Sequence, residues 1–180
     1  PGMNEFLAEP DIRTIMRVVT PDRPIVYAFT TEHGGFAVAL HEWSPGRHRV
    51  QVKRLPLAAK DVDKALLPDP DTGFPGLLVS HELGEATASE VLDIVLDYLR
   101  PTVAQPLAEL LHEIGASSAT LVPCGKLGNL PLAAAPLDVG GTVRLLDRVA
   151  IQIAPAARIT TTGANAGDSG PGDRYLGVAD

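Results

Sequence analysis

The chain has 180 residues, 45% hydrophobic and 21% charged, with a net charge of −7 at neutral pH. That length and mix suffice for one globular domain, or at most two, with a real core, and they exclude bulk disorder. The acidic balance and the absence of any basic block argue against a nucleic-acid partner, and Asp, Arg or Pro interrupts every apolar stretch before the roughly 18 residues that a membrane span needs.

The N-terminus has no charged-then-apolar leader pattern, so a soluble protein is the expectation. A single cysteine excludes an internal disulfide and a cysteine-cluster zinc site, and it fits a reducing cytoplasm. One Trp, three Tyr and four Phe leave the core to Leu, Val, Ile and Ala, a composition that suits layered α/β packing. Seventeen glycines and sixteen prolines punctuate the chain heavily.

Residues 1–23 read as a polar lead-in that could carry a short strand at Ile12–Val19, stopped by Thr20-Pro21-Asp22. Three strand-like runs follow: Ile25–Thr31, Phe36–Trp43 after His33-Gly34-Gly35, and His48–Leu55 after Ser44-Pro45-Gly46. Gly-containing breaks of this length are hairpin signals, so the runs predict an antiparallel meander. In the third run Val50 and Val52 alternate with Arg49, Gln51 and Lys53, which predicts a ribbon with one apolar face and one wet face.

Leu57–Leu67 reads as a short helix, and the Pro68–Gly73 stretch reads as a loop. From Thr87 the period becomes helical. Thr87 and Glu90 have capping-box spacing, and Ala88, Val91, Leu92, Val95 and Leu99 mark one face until Arg100-Pro101 stops or kinks the helix. In a second amphipathic helix Leu107, Leu110, Leu111 and Ile114 form the apolar face, with Gly115 as its left-handed C-cap. Ala119–Val122 and Leu145–Ala154 read as strands, residues 159–174 as a flexible loop, and Tyr175–Ala179 as the opening of a further strand. A strand that opens at Tyr175 and runs to one residue before the last suggests part of something longer, and Asp180 also fits a processing point after an aspartate.

Few residues invite a chemical role. Cys124 stands at a strand-to-loop junction, but a nucleophilic cysteine needs a histidine or a helix N-terminus to hold it as thiolate, and the sequence does not place His33, His41, His48, His81 or His112 beside it. A small structural cysteine is the plainer reading. Gly125-Lys126 suggests a phosphate loop, yet Thr120 stands where that motif needs glycine and Leu127 where it needs Ser or Thr, so a turn is expected. His41 and His48 could approach each other across a hairpin, and His81-Glu82 lies in a loop; without a third ligand, solvent-facing histidines are expected rather than a metal site. Glu109 and Glu113 lie one turn apart opposite the Leu stripe, as on a solvated helix face.

Ala119–Leu137 followed by Leu145–Ala157 resembles the CHAT domain, a caspase-like family often joined to tetratricopeptide repeats. Val122-Pro123, Gly125, Leu127, Leu130-Pro131, Ala134, Leu137, Arg148-Val149, Ala154 and Pro155 carry the resemblance, which extends more loosely over residues 24–180. It implies a partial, layered caspase-like α/β fold with an N-terminal antiparallel meander. It divides the chain into the lead-in 1–23, a non-catalytic α/β part at 24–158, the loop 159–174, and at 175–180 the first strand of a following protease core.

The active His and Cys of the family lie downstream of that strand, and Cys124 occupies a position usually held by Asp or another polar residue. The resemblance therefore implies a non-catalytic supporting half of a bacterial cysteine peptidase, with no catalytic, cofactor or metal residue assigned here. Its implied partners are the catalytic half, tetratricopeptide repeats or a regulatory protein. A stand-alone protein-interaction module and a cysteine hydrolase using Cys124 are the alternatives.

Overall fold

A computed structural model describes residues 12–156. The expected loop at 159–174 and the strand at 175–180 lie outside the described residues, as does the lead-in through Asp11.

The meander forms as its sequence predicts. Strands β1 (Ile25–Thr31), β2 (Gly34–Ser44) and β3 (Arg47–Leu55) pair antiparallel in succession. Glycine at position 35 permits close packing at the first hairpin, because a Cβ there would meet the Leu57 carbonyl oxygen at 2.8 Å. Strand β4 (Ser118–Pro123) then returns parallel to β1, and β5 (Ala150–Ile153) lies parallel to β4. The result is a five-stranded mixed sheet in the order β3-β2-β1-β4-β5.

Helices cover one face of it. They are α2 (Ala59–Leu66), the short α3 (Leu77–Ser80), α4 (Glu85–Leu99) and α5 (Gln105–Glu113). Val62 and Leu66 of α2, Val91, Val95 and Leu99 of α4, and Leu107, Leu110 and Leu111 of α5 enter one continuous core. They meet Val26, Ala28, Ala37, Ala39, Ala119 and Leu121 from the sheet. The alanines of β1 and β2 are small enough for the helices to approach closely, which is how a chain with so few rings fills its interior. Each fully buried Leu contributes about 1.5–3 kcal/mol through removal from water.

The other face has far less cover. The helix α1 (Ile12–Met16) brings Ile15 to a small cluster with Val19, Ile25, Leu40, Val122 and Ala154. The described residues do not extend this cover to β3.

Several expectations need correction. Ile12–Val19 was expected as a strand, but its first five residues form α1; strand propensity gives way to an apolar stripe that packs on the sheet. The helix expected from Ala88 starts at Glu85, and its N-cap is Gly84 with no side-chain cap, so Thr87 and Glu90 form no capping box. Leu92, expected on its buried face, is exposed. Arg100-Pro101 does not end the helical path. Pro101 has no N–H to give, so residues Arg100–Ala104 widen into a π-helical turn, closed where the Gln105 N–H reaches the Arg100 carbonyl, and α5 follows directly. Leu145–Ala154 was expected as one strand; Leu145–Arg148 is instead a short helix, α6, before β5.

Gly115 does cap α5 at φ +71°, and the Ala116 N–H returns to the Leu111 carbonyl at 2.9 Å. Among the described residues no helix is long and apolar enough to cross a membrane.

Candidate functional site

In a sheet with adjacent parallel strands, the carboxyl ends are where loops diverge and ligands gather. Here β1 and β4 are those strands, and Cys124 lies at their common end. Its N–H donates to the Ala28 carbonyl at 2.7 Å, which extends the parallel ladder by one residue. Gly125 then turns the chain at φ +61° into the 3-10 segment Gly125–Asn129. A cleft of about 300 Å³ lies beside the turn, lined by Phe29, Thr30, Ala59, Val62, Asp63, Cys124, Gly125 and Lys126.

No histidine lines that cleft. Burial pushes the Cys124 thiol above its ordinary range, the opposite of what a thiolate nucleophile needs. Burial, and secondarily the nearness of Cys124, likewise raises the phenol of Tyr27. The Cys124 Sγ donates a weak hydrogen bond to the Val122 carbonyl, at 3.7 Å. Lys126 lies 2.6 Å from an Asp63 carboxylate oxygen, so its ammonium group is engaged in an ion pair. The Gly125-Lys126 pair is a turn with an ion pair, as expected from the missing phosphate-loop residues.

The remaining histidines do not assemble. Register places His41 opposite Arg49 and His48 opposite Glu42, so the two imidazoles project from opposite faces of the ribbon and cannot share an ion. His41 was expected to face solvent but is buried; burial first, then the Arg49 charge, lowers its pKa. The ring of His48 carries a buried Nε2 with no hydrogen-bond partner among the described residues. His33, His81 with Glu82, and His112 are exposed. Among the described residues no group of three or more His, Cys, Asp or Glu side chains could hold a metal.

Glu109 and Glu113 have a different task from the one expected. Rather than facing only water, they reach over the sheet to Lys53, at 2.8 and 2.9 Å, and Gln51 donates to Glu113 at 2.6 Å. The hydrogen bonds from Glu109 and then Glu113 raise the Lys53 pKa, and Lys53 in turn holds the Glu113 carboxyl below its ordinary range. The charged face of β3 is therefore the one that meets α5, while Val50 and Val52 point to the other side, 63% and 56% exposed. The alternation was legible; which side became the wet one was not.

Sequence reasoning also missed a groove. Phe74 from the loop after α2, Ala65 of α2, and Ile94, Val95 and Tyr98 of α4 line a cavity of about 390 Å³ with Asp61, Lys64, Asp69 and Thr72 at its edges. The available signal was the pair Ile94 and Tyr98, four residues apart and outside the Val91, Val95, Leu99 stripe. A third, more polar cleft of about 650 Å³ lies between α5 and α6 beside Gln105, His112 and Arg148. No protein-family model matches the chain, and no curated protein matches it.

Proposed function

We propose that this chain is the non-catalytic supporting half of a bacterial caspase-like cysteine peptidase of the CHAT type, acting in the cytoplasm, with the Cys and His that cleave peptide bonds located downstream of it in the parent protein. One observation carries the reading. The residues of the resemblance form one structural unit: Val122-Pro123 ends β4, Leu127 and Leu130 pack beneath the following turns, and Val149, next to Arg148, enters the same core just before β5. Such a unit is a rigid neighbour for a catalytic dyad, which must be kept within fractions of an ångström of its working geometry. The thiol of Cys124, raised in pKa and without an imidazole in its cleft, agrees with a chain that does no chemistry itself. Its partners in this reading are the catalytic half, with tetratricopeptide repeats or a regulatory protein beside it.

The test has two arms. The 180-residue chain is assayed with a mixed fluorogenic peptide set, and the complete open reading frame is assayed with the same set, each with and without Cys124→Ala. Expected are no cleavage by the chain and iodoacetamide-sensitive cleavage by the complete frame that survives the substitution. Cleavage lost on Cys124→Ala, or no thiol-dependent cleavage from the complete frame, overturns the proposal. The same assay bears on the hydrolase alternative, which needs an imidazole at the Cys124 sulfur.

A second reading, a stand-alone interaction module, is favoured by the closed aliphatic core on the helical side of the sheet, which needs no partner to exclude water. It requires a monodisperse chain that unfolds in one cooperative step.

A further inference from the structure

The groove between α2, the loop at 69–74 and α4 is independent of the peptidase reading. Its floor is apolar: Ala65, Phe74 and Val95 lie at its base, with Ile94 and Tyr98 on one wall. Ile94 is 56% exposed although it sits in the middle of a long helix whose other apolar residues are largely spent on the core. An exposed β-branched residue next to a half-exposed tyrosine and a half-buried phenylalanine leaves a contiguous apolar slot rather than a scattered surface residue.

Carboxylates stand on both sides of it. Asp61 and Asp69 lie on the α2 side. Asp69 is held in its anionic form by the Asp71 N–H first and then by the Thr72 hydroxyl, which lower its pKa. On α4, Glu90, Asp93 and Asp97 share one exposed helix face adjoining Ile94, because they recur at intervals of three and four. Among the described residues neither Glu90 nor Asp93 takes part in an ion pair, and Asp97 has only Arg100, at 3.9 Å. The lining itself holds two carboxylates, Asp61 and Asp69, and one cation, Lys64. On the adjoining helix faces Glu90, Asp93 and Asp97 stand against Lys60, one turn before Lys64, and Arg100, so five carboxylates against three cations leave the slot with a negative frame.

We propose that this groove docks a basic amphipathic segment of a partner protein, seating an apolar side chain between Phe74, Ile94 and Tyr98 with flanking Lys or Arg residues against the carboxylates of α4 and the 61–69 region. Apolar seating supplies the affinity, and the charged frame supplies the orientation, the encounter rate and the rejection of acidic partners. A purely apolar segment forfeits the frame. A purely basic one leaves the slot empty.

The experiment measures fluorescence anisotropy of a short labelled peptide of Leu and Lys with helical amphipathic spacing against the full 180-residue chain. Two peptides of equal length serve as controls, one with Glu for Lys and one with Ala for Leu. The Leu/Lys peptide is expected to bind with an affinity that falls as salt rises, and both controls at least about tenfold more weakly. Ile94→Gln is expected to weaken binding by about tenfold, Asp93→Asn with Asp97→Asn by several-fold with a flatter salt dependence, and Val52→Gln on the sheet not at all. Circular dichroism melts establish that the variants remain folded. Equal binding of either control peptide, indifference to Ile94→Gln in a folded chain, weakening by Val52→Gln, or no binding by the Leu/Lys peptide overturns the proposal.

Discussion

The two faces of the sheet follow different rules. On the helical face Ala28, Ala37 and Ala39 let α2, α4 and α5 pack closely, and the aliphatic residues that meet them are shielded from water. On the opposite face the cover among the described residues comes from α1 with Val19 and Ala154, around Ile25, Leu40 and Val122, and the apolar rows of β2 and β3 run on to the exposed Val50 and Val52. Stability is therefore concentrated on one side, and the sheet's remaining apolar surface is a place for contact rather than for core. Edge strand β3 is also guarded: Arg47, Arg49, Lys53 and Arg54 put charge along it, and charged edges discourage strand-to-strand aggregation.

The largest expected effect separates the faces directly. Leu107→Ala deletes a fully buried side chain of the helical face and is expected to cost about 2–5 kcal/mol, because the interlocked helices cannot collapse into the cavity. Val52→Thr, on the open face, keeps a β-branched shape at an exposed position and is expected to change stability by no more than about 0.5 kcal/mol. Urea melts of both variants measure this. Equal losses would mean that the two faces are not different in kind. The same valine change, combined with Val50→Thr, is expected to lower the fluorescence of a bound apolar dye without moving the urea midpoint, which sharpens the distinction between surface and core.

The strand alternation, the hairpins, both long helices and the Gly115 cap were legible because each rests on neighbours a few residues apart. What was not legible was decided over long distances. The sign of the β3 faces follows the register with β2, which sets Lys53 and Gln51 opposite the buried Ala37 and Ala39, and their partners Glu109 and Glu113 come from about sixty residues further along. The helical start at Leu145 was hidden because Leu-Leu followed by Val-Ala-Ile-Gln-Ile reads as one apolar run, and periodicity alone does not separate a single helical turn from the strand it feeds. Of the candidate site residues, the sequence located Cys124 at a strand end and Gly125-Lys126 in a turn, but it could not say what lines the cleft beside the sulfur.

A smaller effect concerns that cleft. With its thiol raised by burial, Cys124 is expected to react with iodoacetamide slowly at neutral pH, and its rate is expected to climb only above the range of a free cysteine peptide measured alongside. A plateau below that range would show a thiolate stabilised by a neighbour and would move the chemistry onto this chain.

The smallest effect tests the charged bridge between β3 and α5. Glu113 has its carboxyl pKa lowered chiefly by the hydrogen bond from Lys53, so its contribution to stability is present above the ordinary carboxylate range and is lost as pH falls through the folded value. Lys53 is raised, so its contribution is present below the ordinary lysine range and is lost as pH rises through its own folded value. Both groups are solvent-facing, and salt is expected to weaken the pair. Lys53→Met should return the Glu113 titration, followed by carboxyl carbon NMR, upward toward a free glutamate, and it should flatten the acid limb of the melting profile slightly. If Glu113 titrates unchanged in that variant, the bridge does not hold its carboxylate, and β3 meets α5 through the register of the sheet and the aliphatic fit alone.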